Sequence, residues 1–212
     1  MPLIYSFLDL PQLPASIIDA ANTALVSRQR ESRVNPKLLE QQGFTEYANR
    51  TVITDSGKQL KNAGSYRYWI SEEFEEWVRI HFKQDPAGCG INIFEASADS
   101  VVAPHVDPNR NFSIHYLLEP GGIHATTMWW QEKNKLLDRA DLKNNFNLAD
   151  TITNYSKLQE VAKICIPKHR WICMNTNILH SVENITSPRI SIQISRNTFP
   201  DHIKLLESKY VE

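Results

Sequence analysis

Two segments of the chain carry residues whose types and spacing suit a metal ion. His105 and Asp107 are separated by one residue at the end of a predicted strand, in SVVAPHVDP. Side chains two apart in a strand point to the same face, so one strand end can offer an imidazole and a carboxylate to one cation. His180 closes the segment 173–179 much later in the chain, and a polar turn follows it. Two imidazoles and a carboxylate form the ligand set that holds non-haem Fe(II) and leaves coordination positions open.

The segment after His180 has a pattern that suits an anion. In RISIQIS, residues 189–195, isoleucines alternate with polar residues, which places Arg189, Ser191 and Gln193 on one face of a strand. A solvent-exposed sheet face explains this alternation, and so does a small barrel whose polar face lines a ligand cavity. In the barrel, Arg189 is placed to bind a carboxylate through two hydrogen bonds, and the Ser191 hydroxyl to add another.

A further predicted strand, residues 111–118, repeats the alternation. Ser113 and His115 share its polar face, and large apolar residues occupy the other. A histidine in such a strand is more often structural than functional, but its place on the polar face makes His115 a candidate cavity residue. Arg110 and the pair Trp129-Trp130 are candidates for contact with a substrate at the cavity mouth.

The elements that must position these residues change in character along the chain. Apolar residues at helical spacing predict helices near residues 14–28 and 71–82. The charged, Asn-rich stretch near 132–158 is predicted to be a long connection, a kind of loop that is often functional. Beyond residue 86, short segments rich in β-branched and aromatic residues are typical of a sandwich or barrel. We predict strands near residues 90–96, 100–105, 111–118, 123–131, 160–166, 170–175 and 187–195.

Taken together, these residues resemble the Fe(II)/2-oxoglutarate-dependent oxygenases. That family carries an HxD motif, a distal histidine and a following arginine on a double-stranded β-helix. The match covers about residues 88–197 of the 212-residue chain and rests on five positions in the family's order: His105, Asp107, His180, Arg189 and Ser191. The resemblance implies that the first three bind Fe(II), that the last two hold the distal carboxylate of 2-oxoglutarate, and that O₂ is a co-substrate.

Within this family the chain is similar to the aspartyl/asparaginyl β-hydroxylase-like and prolyl-hydroxylase-like branches. In the former branch, a histidine at a comparable distance from the first metal ligand helps to bind 2-oxoglutarate, which implies that role for His115. Asp107 departs from that branch, whose members typically lack the metal carboxylate. The implied reaction is the decarboxylation of 2-oxoglutarate to succinate and CO₂, coupled to hydroxylation of a C–H bond of an amino acid, peptide or protein side chain.

The expected fold class is mainly β with flanking helices. A chain of 212 residues favours one domain. We expect a helical N-terminal support over residues 1–85. A double-stranded β-helix, the cupin-like jelly roll, should follow over residues 86–200, with the long insertion near 132–158.

Composition limits the partners that we expect. The formal net charge of −1 provides no broad positive field for nucleic acid. No signal-peptide or membrane-span pattern opens the sequence, and the three cysteines form no CxxC pair, which predicts a cytoplasmic protein with free thiols. The expected partner is a small-molecule, amino-acid or peptide substrate, with no membrane; the sequence leaves the oligomeric state open.

Two alternative functions share parts of this pattern. A cupin-like metalloenzyme that does not use 2-oxoglutarate would keep the metal ligands, but no dicarboxylate would lie opposite Arg189. A non-catalytic jelly-roll interaction module would need neither a metal ion nor 2-oxoglutarate. His105 and Asp107 would then be hydrogen-bonded in a turn before Pro108.

Overall fold

The computed structural model describes residues 2–27, 51–53, 59–62, 64–66, 70–86, 89–107, 110–132 and 158–211. These residues form two helices, α1 (Ala15–Ser27) and α2 (Glu72–Phe82). They also form strands with the bounds β1 (Leu3–Leu8), β2 (Thr51–Ile53), β3 (Gln59–Asn62), β4 (Gly64–Tyr66), β5 (Gly90–Ala96), β6 (Ser100–His105), β7 (Phe112–Pro120), β8 (Thr126–Glu132), β9 (Leu158–Ile164), β10 (Trp171–Asn175), β11 (His180–Glu183), β12 (Arg189–Arg196) and β13 (Leu205–Tyr210).

Both predicted helices are confirmed. Helix α2 follows the N-cap Ser71, whose hydroxyl oxygen accepts a hydrogen bond from the backbone N–H of Phe74 at 3.1 Å. It ends at Lys83, whose φ of 49° places it in the left-handed region. Among the described residues, neither helix has the length and hydrophobicity needed to cross a bilayer.

The strands form two facing sheets. One sheet has seven strands in the order β13-β1-β10-β7-β12-β5-β4, and the other has six in the order β2-β3-β6-β11-β8-β9. Successive strands alternate between the two sheets from β5 to β8 and again from β9 to β12, while β8 and β9 pair within the smaller sheet. Neighbouring strands of this core pair antiparallel. This interleaved order is that of a double-stranded β-helix, as predicted.

The two faces of the seven-stranded sheet have different surroundings. The apolar side chains of β7 and β12 pack with those of both helices in one buried cluster, which includes Ile17, Phe74, Ile114, Ile192 and Ile194. The opposite face of these strands points towards the six-stranded sheet. The predicted alternation is therefore confirmed: the helices cover the apolar face, and the polar face lies between the sheets.

The N-terminal part contains more strand structure than predicted. Residues 1–85, expected as a helical support, also supply β1 to β4, and β1 lies inside the larger sheet between β10 and β13. Strands β11 and β13 were not predicted either. A short strand is stabilised by the partner beside it, and for β1 the partners lie at the other end of the chain, where local sequence gives no sign of them. Of the connection predicted near 132–158, residues 133–157 lie outside the described residues.

Candidate metal centre

The structure brings the three predicted metal ligands together. His105 ends β6, Asp107 follows in the next turn, and His180 begins β11, which pairs antiparallel with β6. The three side chains offer ligand atoms that all lie within 4.8 Å of one another. His105 Nε2 lies 3.6 Å from Asp107 Oδ1. These distances allow one cation to contact all three side chains.

His180 has the protonation state that a metal ligand requires. Its Nδ1 donates to the carbonyl oxygen of Ile178 at 2.9 Å. A carbonyl can only accept, so Nδ1 carries the proton and Nε2 presents its lone pair. Burial, reinforced by the neighbouring His105, lowers the pKa of His180 to about 4. The imidazole is therefore neutral at neutral pH.

Asp107 is ionised and held by an arginine. Burial raises its pKa, but Arg110 and the two imidazoles have a larger combined effect, and the pKa of Asp107 lies well below its ordinary value. Arg110 Nε donates to Asp107 Oδ2 at 2.6 Å, and Arg110 Nη1 donates to Ser195 Oγ at 2.8 Å. Arg110 is thus engaged with a metal-ligand candidate; its contact with a substrate stays a prediction.

Backbone hydrogen bonds fix the turn that carries Asp107. Its N–H donates to the carbonyl of Thr176 at 3.1 Å. The Thr176 hydroxyl donates to the carbonyl of Arg110 at 3.1 Å, and the Thr176 N–H to that of Asn111 at 2.9 Å. One residue of the β10–β11 turn therefore anchors both ends of this segment.

The donor set fits the predicted Fe(II). Two imidazoles and an ionised carboxylate on one side of an ion leave positions open for a chelating 2-oxo acid and O₂. The hydrogen bond from His180 to Ile178 also matches the outer contacts that usually orient metal-binding histidines.

Arg189 is a buried cation with no carboxylate partner among the described residues. Arg189 is the first residue of β12, and it is only 4% exposed. Nη1 donates to the carbonyl of Pro120 at 2.6 Å and Nη2 to Thr127 Oγ1 at 3.2 Å. Burial lowers the pKa of Arg189 to about 10, so the guanidinium stays charged at neutral pH. An uncompensated buried charge is costly, so this position fits an anionic ligand such as a carboxylate of 2-oxoglutarate.

A buried polar network extends along β12 from Arg189. Ser191 Oγ lies 3.1 Å from His115 Nδ1, and His115 Nε2 lies 2.8 Å from Ser113 Oγ. Gln193 Nε2 donates to Ser113 Oγ at 2.9 Å, while its buried Oε1 has no hydrogen-bond partner in the described part of the chain. Burial and, secondarily, the nearby arginines hold the pKa of His115 well below its ordinary value, which keeps the ring neutral.

The structure therefore places all the predicted site residues between the two sheets, and it adds others. Ser113 and Gln193 were indicated by the same alternation as their neighbours. Thr127 and Thr176 had no sequence signal, because each contact joins elements far apart in the chain.

The prediction for the tryptophan pair is wrong at Trp129. This side chain is fully buried and stacks on Tyr5 of β1 at 5.0 Å between ring centroids, so it belongs to the core. Trp130 is partly buried, and its Nε1 donates to Ser181 Oγ at 2.9 Å.

Comparison with known proteins gives structural likenesses only. No family model and no curated protein matches the sequence. Solved structures with a similar fold include the non-heme alpha ketoglutarate dependent carbocyclase SnoK from nogalamycin biosynthesis, with a TM-score of 0.47, 12% identity, and coverage of 94% of this chain and 85% of that one. AviO1 from Streptomyces viridochromogenes Tue57 has a TM-score of 0.44, 10% identity, and coverage of 93% and 92%.

A third solved structure is an oxidoreductase of the 2OG-Fe(II) oxygenase family from Burkholderia pseudomallei. It has a TM-score of 0.37 and 10% identity, and covers 90% of this chain and 98% of that one. At these TM-scores and identities, the likenesses establish neither family membership nor activity. Similarity to the aspartyl/asparaginyl and prolyl hydroxylase branches stays a prediction.

Proposed function

We propose that this chain is an Fe(II)- and 2-oxoglutarate-dependent oxygenase that hydroxylates a C–H bond of an amino acid, peptide or protein side chain. The observation that carries the proposal is a pair of features between the same two sheets. One is the cluster of His105, Asp107 and His180, and the other is the buried Arg189 without a carboxylate partner among the described residues. The first suits the metal and the second suits the dicarboxylate that must reach it.

The three clustered side chains provide the metal site in this function. His105, Asp107 and His180 hold Fe(II), which when bound supplies the site for O₂ activation and C–H oxidation. One ionised carboxylate compensates only part of the charge of a divalent ion, so the occupied site keeps a net positive charge that favours an acidic co-substrate. The sheets that surround the cluster exclude bulk water from the reacting groups.

Arg189 and Ser191 bind the distal carboxylate of 2-oxoglutarate in this proposal. A guanidinium can donate two parallel hydrogen bonds to a carboxylate, and burial strengthens each of them. Ser191 lies on the same strand face, and its hydroxyl is held by His115 at 3.1 Å. We assign His115 to positioning this hydroxyl and to supporting the carboxylate site as a neutral ring.

The buried arginine separates this function from the two alternatives. A cupin-like metalloenzyme without 2-oxoglutarate has no use for a buried guanidinium that finds no carboxylate partner in the described part of the chain. A non-catalytic jelly roll has no use for it either, nor for an ionised carboxylate beside two imidazoles. Both would carry the cost of the buried Arg189 charge without an anionic ligand to offset it.

A thermal-shift titration tests the proposal. Mn(II) replaces Fe(II) without redox turnover, and N-oxalylglycine replaces 2-oxoglutarate. A ligand at about 100 times its Kd adds about 2.7 kcal/mol, which in a chain of this size raises Tm by about 5–10 °C. We expect Mn(II) to raise Tm and N-oxalylglycine to raise it further only when Mn(II) is present. No shift with either compound would contradict the proposal.

The predictions for substrate class, domain number and location form part of this proposal. We retain a small-molecule, amino-acid or peptide substrate, one domain over residues 1–212 and a cytoplasmic location. If the titration succeeds, a screen of amino acids and short peptides for a product heavier by one oxygen atom identifies the primary substrate.

A further inference from the structure

The two oxygens of Asp107 have different surroundings. Oδ2 accepts the hydrogen bond from Arg110 Nε at 2.6 Å. Oδ1 lies 3.6 Å from the ligand candidate His105 Nε2. The carboxylate thus presents one oxygen towards the metal cluster and one towards an arginine.

Arg110 is itself held from both sides. Its Nη1 donates to Ser195 Oγ in β12 at 2.8 Å, and its backbone carbonyl accepts from the Thr176 hydroxyl at 3.1 Å. The guanidinium therefore joins the turn after β6 in one sheet to a strand of the other. Because the Arg110 guanidinium is planar, contact with Ser195 also fixes the direction of the Nε–H bond towards Asp107. A lysine ammonium can supply the charge but not this paired geometry.

A carboxylate binds a metal ion through one oxygen or through both. Each extra protein oxygen occupies a position that the 2-oxo acid or O₂ needs. A second oxygen that accepts a short hydrogen bond from a guanidinium is a poorer metal ligand, because one of its lone pairs and part of its charge are already engaged. The contact between Arg110 and Asp107 therefore bears on how many positions the metal keeps open.

We propose that Arg110 is a positioning residue that restricts Asp107 to one-oxygen coordination and so preserves the open metal positions. This inference rests on the proposed function. Arg110 touches neither the metal nor 2-oxoglutarate in this role, and it acts through Asp107 and Ser195. Its loss should therefore change the coordination of the metal before any turnover takes place.

The test uses the full chain loaded with Co(II), whose visible absorption reports coordination number without catalysis. Wild type is compared with Arg110→Met, which removes the donors, and with Arg110→Lys, which keeps the charge. Arg79→Met is the matched control, because Arg79 lies exposed on α2 and pairs with Glu76 on the same helix. Each Co(II) form is titrated with 2-oxoglutarate, and Kd is read from the spectral change.

We expect Arg110→Met to alter the Co(II) spectrum and to weaken 2-oxoglutarate binding by about tenfold, the lower end of the effect that losing an outer contact has on metal affinity or activity. Arg110→Lys should shift both readouts in the same direction by a smaller factor, and Arg79→Met should match wild type. If Arg110→Met does not fold, the Co(II) spectrum and the 2-oxoglutarate Kd of Arg110→Lys provide the test.

Wild-type spectra and wild-type Kd values in the folded Arg110 variants would overturn the role of Arg110 and leave the proposed function intact. A wild-type protein that binds no Co(II) would overturn both. The two failures are therefore distinguishable in one experiment.

Discussion

His180 lies directly opposite His105 across the antiparallel pair of β11 and β6, with 4.3 Å between the ring centroids. The two residues are far apart in sequence, so only the register of the sheet brings them together. On its other side, His180 is paired with Trp129 of β8. A slip of one residue would turn His180 to the opposite face of the sheet. The metal cluster is therefore a consequence of strand register.

Replacement of His180 by alanine should abolish most of the metal affinity. The substitution removes a ligand, and even the loss of an outer contact costs about 10–100-fold, so we expect a loss of about 100-fold or more. Isothermal titration calorimetry with Mn(II) measures it. His124→Ala is the control, because His124 is exposed in the loop before β8. Equal Mn(II) affinity in both variants would exclude His180 as a ligand.

Arg189→Gln should separate the metal from the co-substrate. We expect Mn(II) to bind as in wild type, because Arg189 begins β12 and is not part of the metal cluster. N-oxalylglycine should lose about 1.5–3 kcal/mol of binding for each charged hydrogen bond removed. Paired thermal-shift titrations with and without the analogue show the split. An unchanged response to N-oxalylglycine would mean that the carboxylate binds elsewhere.

Gly121→Ala should disturb the carboxylate site through the backbone. Gly121 has a φ of 92°, and a Cβ there would lie 2.9 Å from the Cβ of Arg189. We expect a loss of about 1–3 kcal/mol in unfolding free energy from backbone strain, together with weaker N-oxalylglycine binding.

Gly122→Ala is the matched control for this effect. Its φ is 106°, and a Cβ there would collide with Thr186 Oγ1 rather than with Arg189. We expect a comparable loss of stability, measured by urea unfolding, with the N-oxalylglycine affinity unchanged. An equal loss of affinity in both variants would show that strain in the turn, not displacement of Arg189, is responsible.

Stability of the metal-free protein should fall as the pH is lowered, in part because of His115. Burial holds the pKa of His115 in the folded protein well below its ordinary value of 6.5. Below that value the unfolded chain binds a proton that the folded chain does not, so the free energy of unfolding decreases as the pH falls. The contribution is fully present above the unfolded pKa.

The contribution of His115 can be isolated by replacement. We expect the difference in unfolding free energy between about pH 7.5 and about pH 5.5 to be smaller in His115→Gln than in wild type. Urea titrations with a chelator present measure both values. The same pH dependence in the two proteins would show that His115 is protonated as readily in the fold as outside it.

Periodicity was enough to predict much of the fold and the ligand candidates. The alternation in β7 and β12 separated a helix-covered face from a cavity face, and it placed His115, Arg189 and Ser191 on the latter. His105 and Asp107 could be predicted as metal ligands because one residue separates an imidazole from a carboxylate at a strand end. Such signals are local, and they survive in the sequence alone.

Contacts between sheets could not be predicted in the same way. The ion pair of Arg110 with Asp107 was not predicted, because the anchor of Arg110 at Ser195 comes from a strand much later in the chain. Trp129 was misassigned to the mouth because its stacking partner, Tyr5, lies in a strand that was itself missed. Both contacts depend on long-range pairing, which local propensity does not encode.

A crystal structure of the protein grown without O₂ in the presence of Mn(II) and N-oxalylglycine tests the central claim most directly. We predict one metal ion bound by His105, by a single oxygen of Asp107 and by Nε2 of His180, with the distal carboxylate of the analogue on Arg189. A metal ion bound away from these three side chains, or an analogue whose carboxylate does not contact Arg189, would contradict the claim.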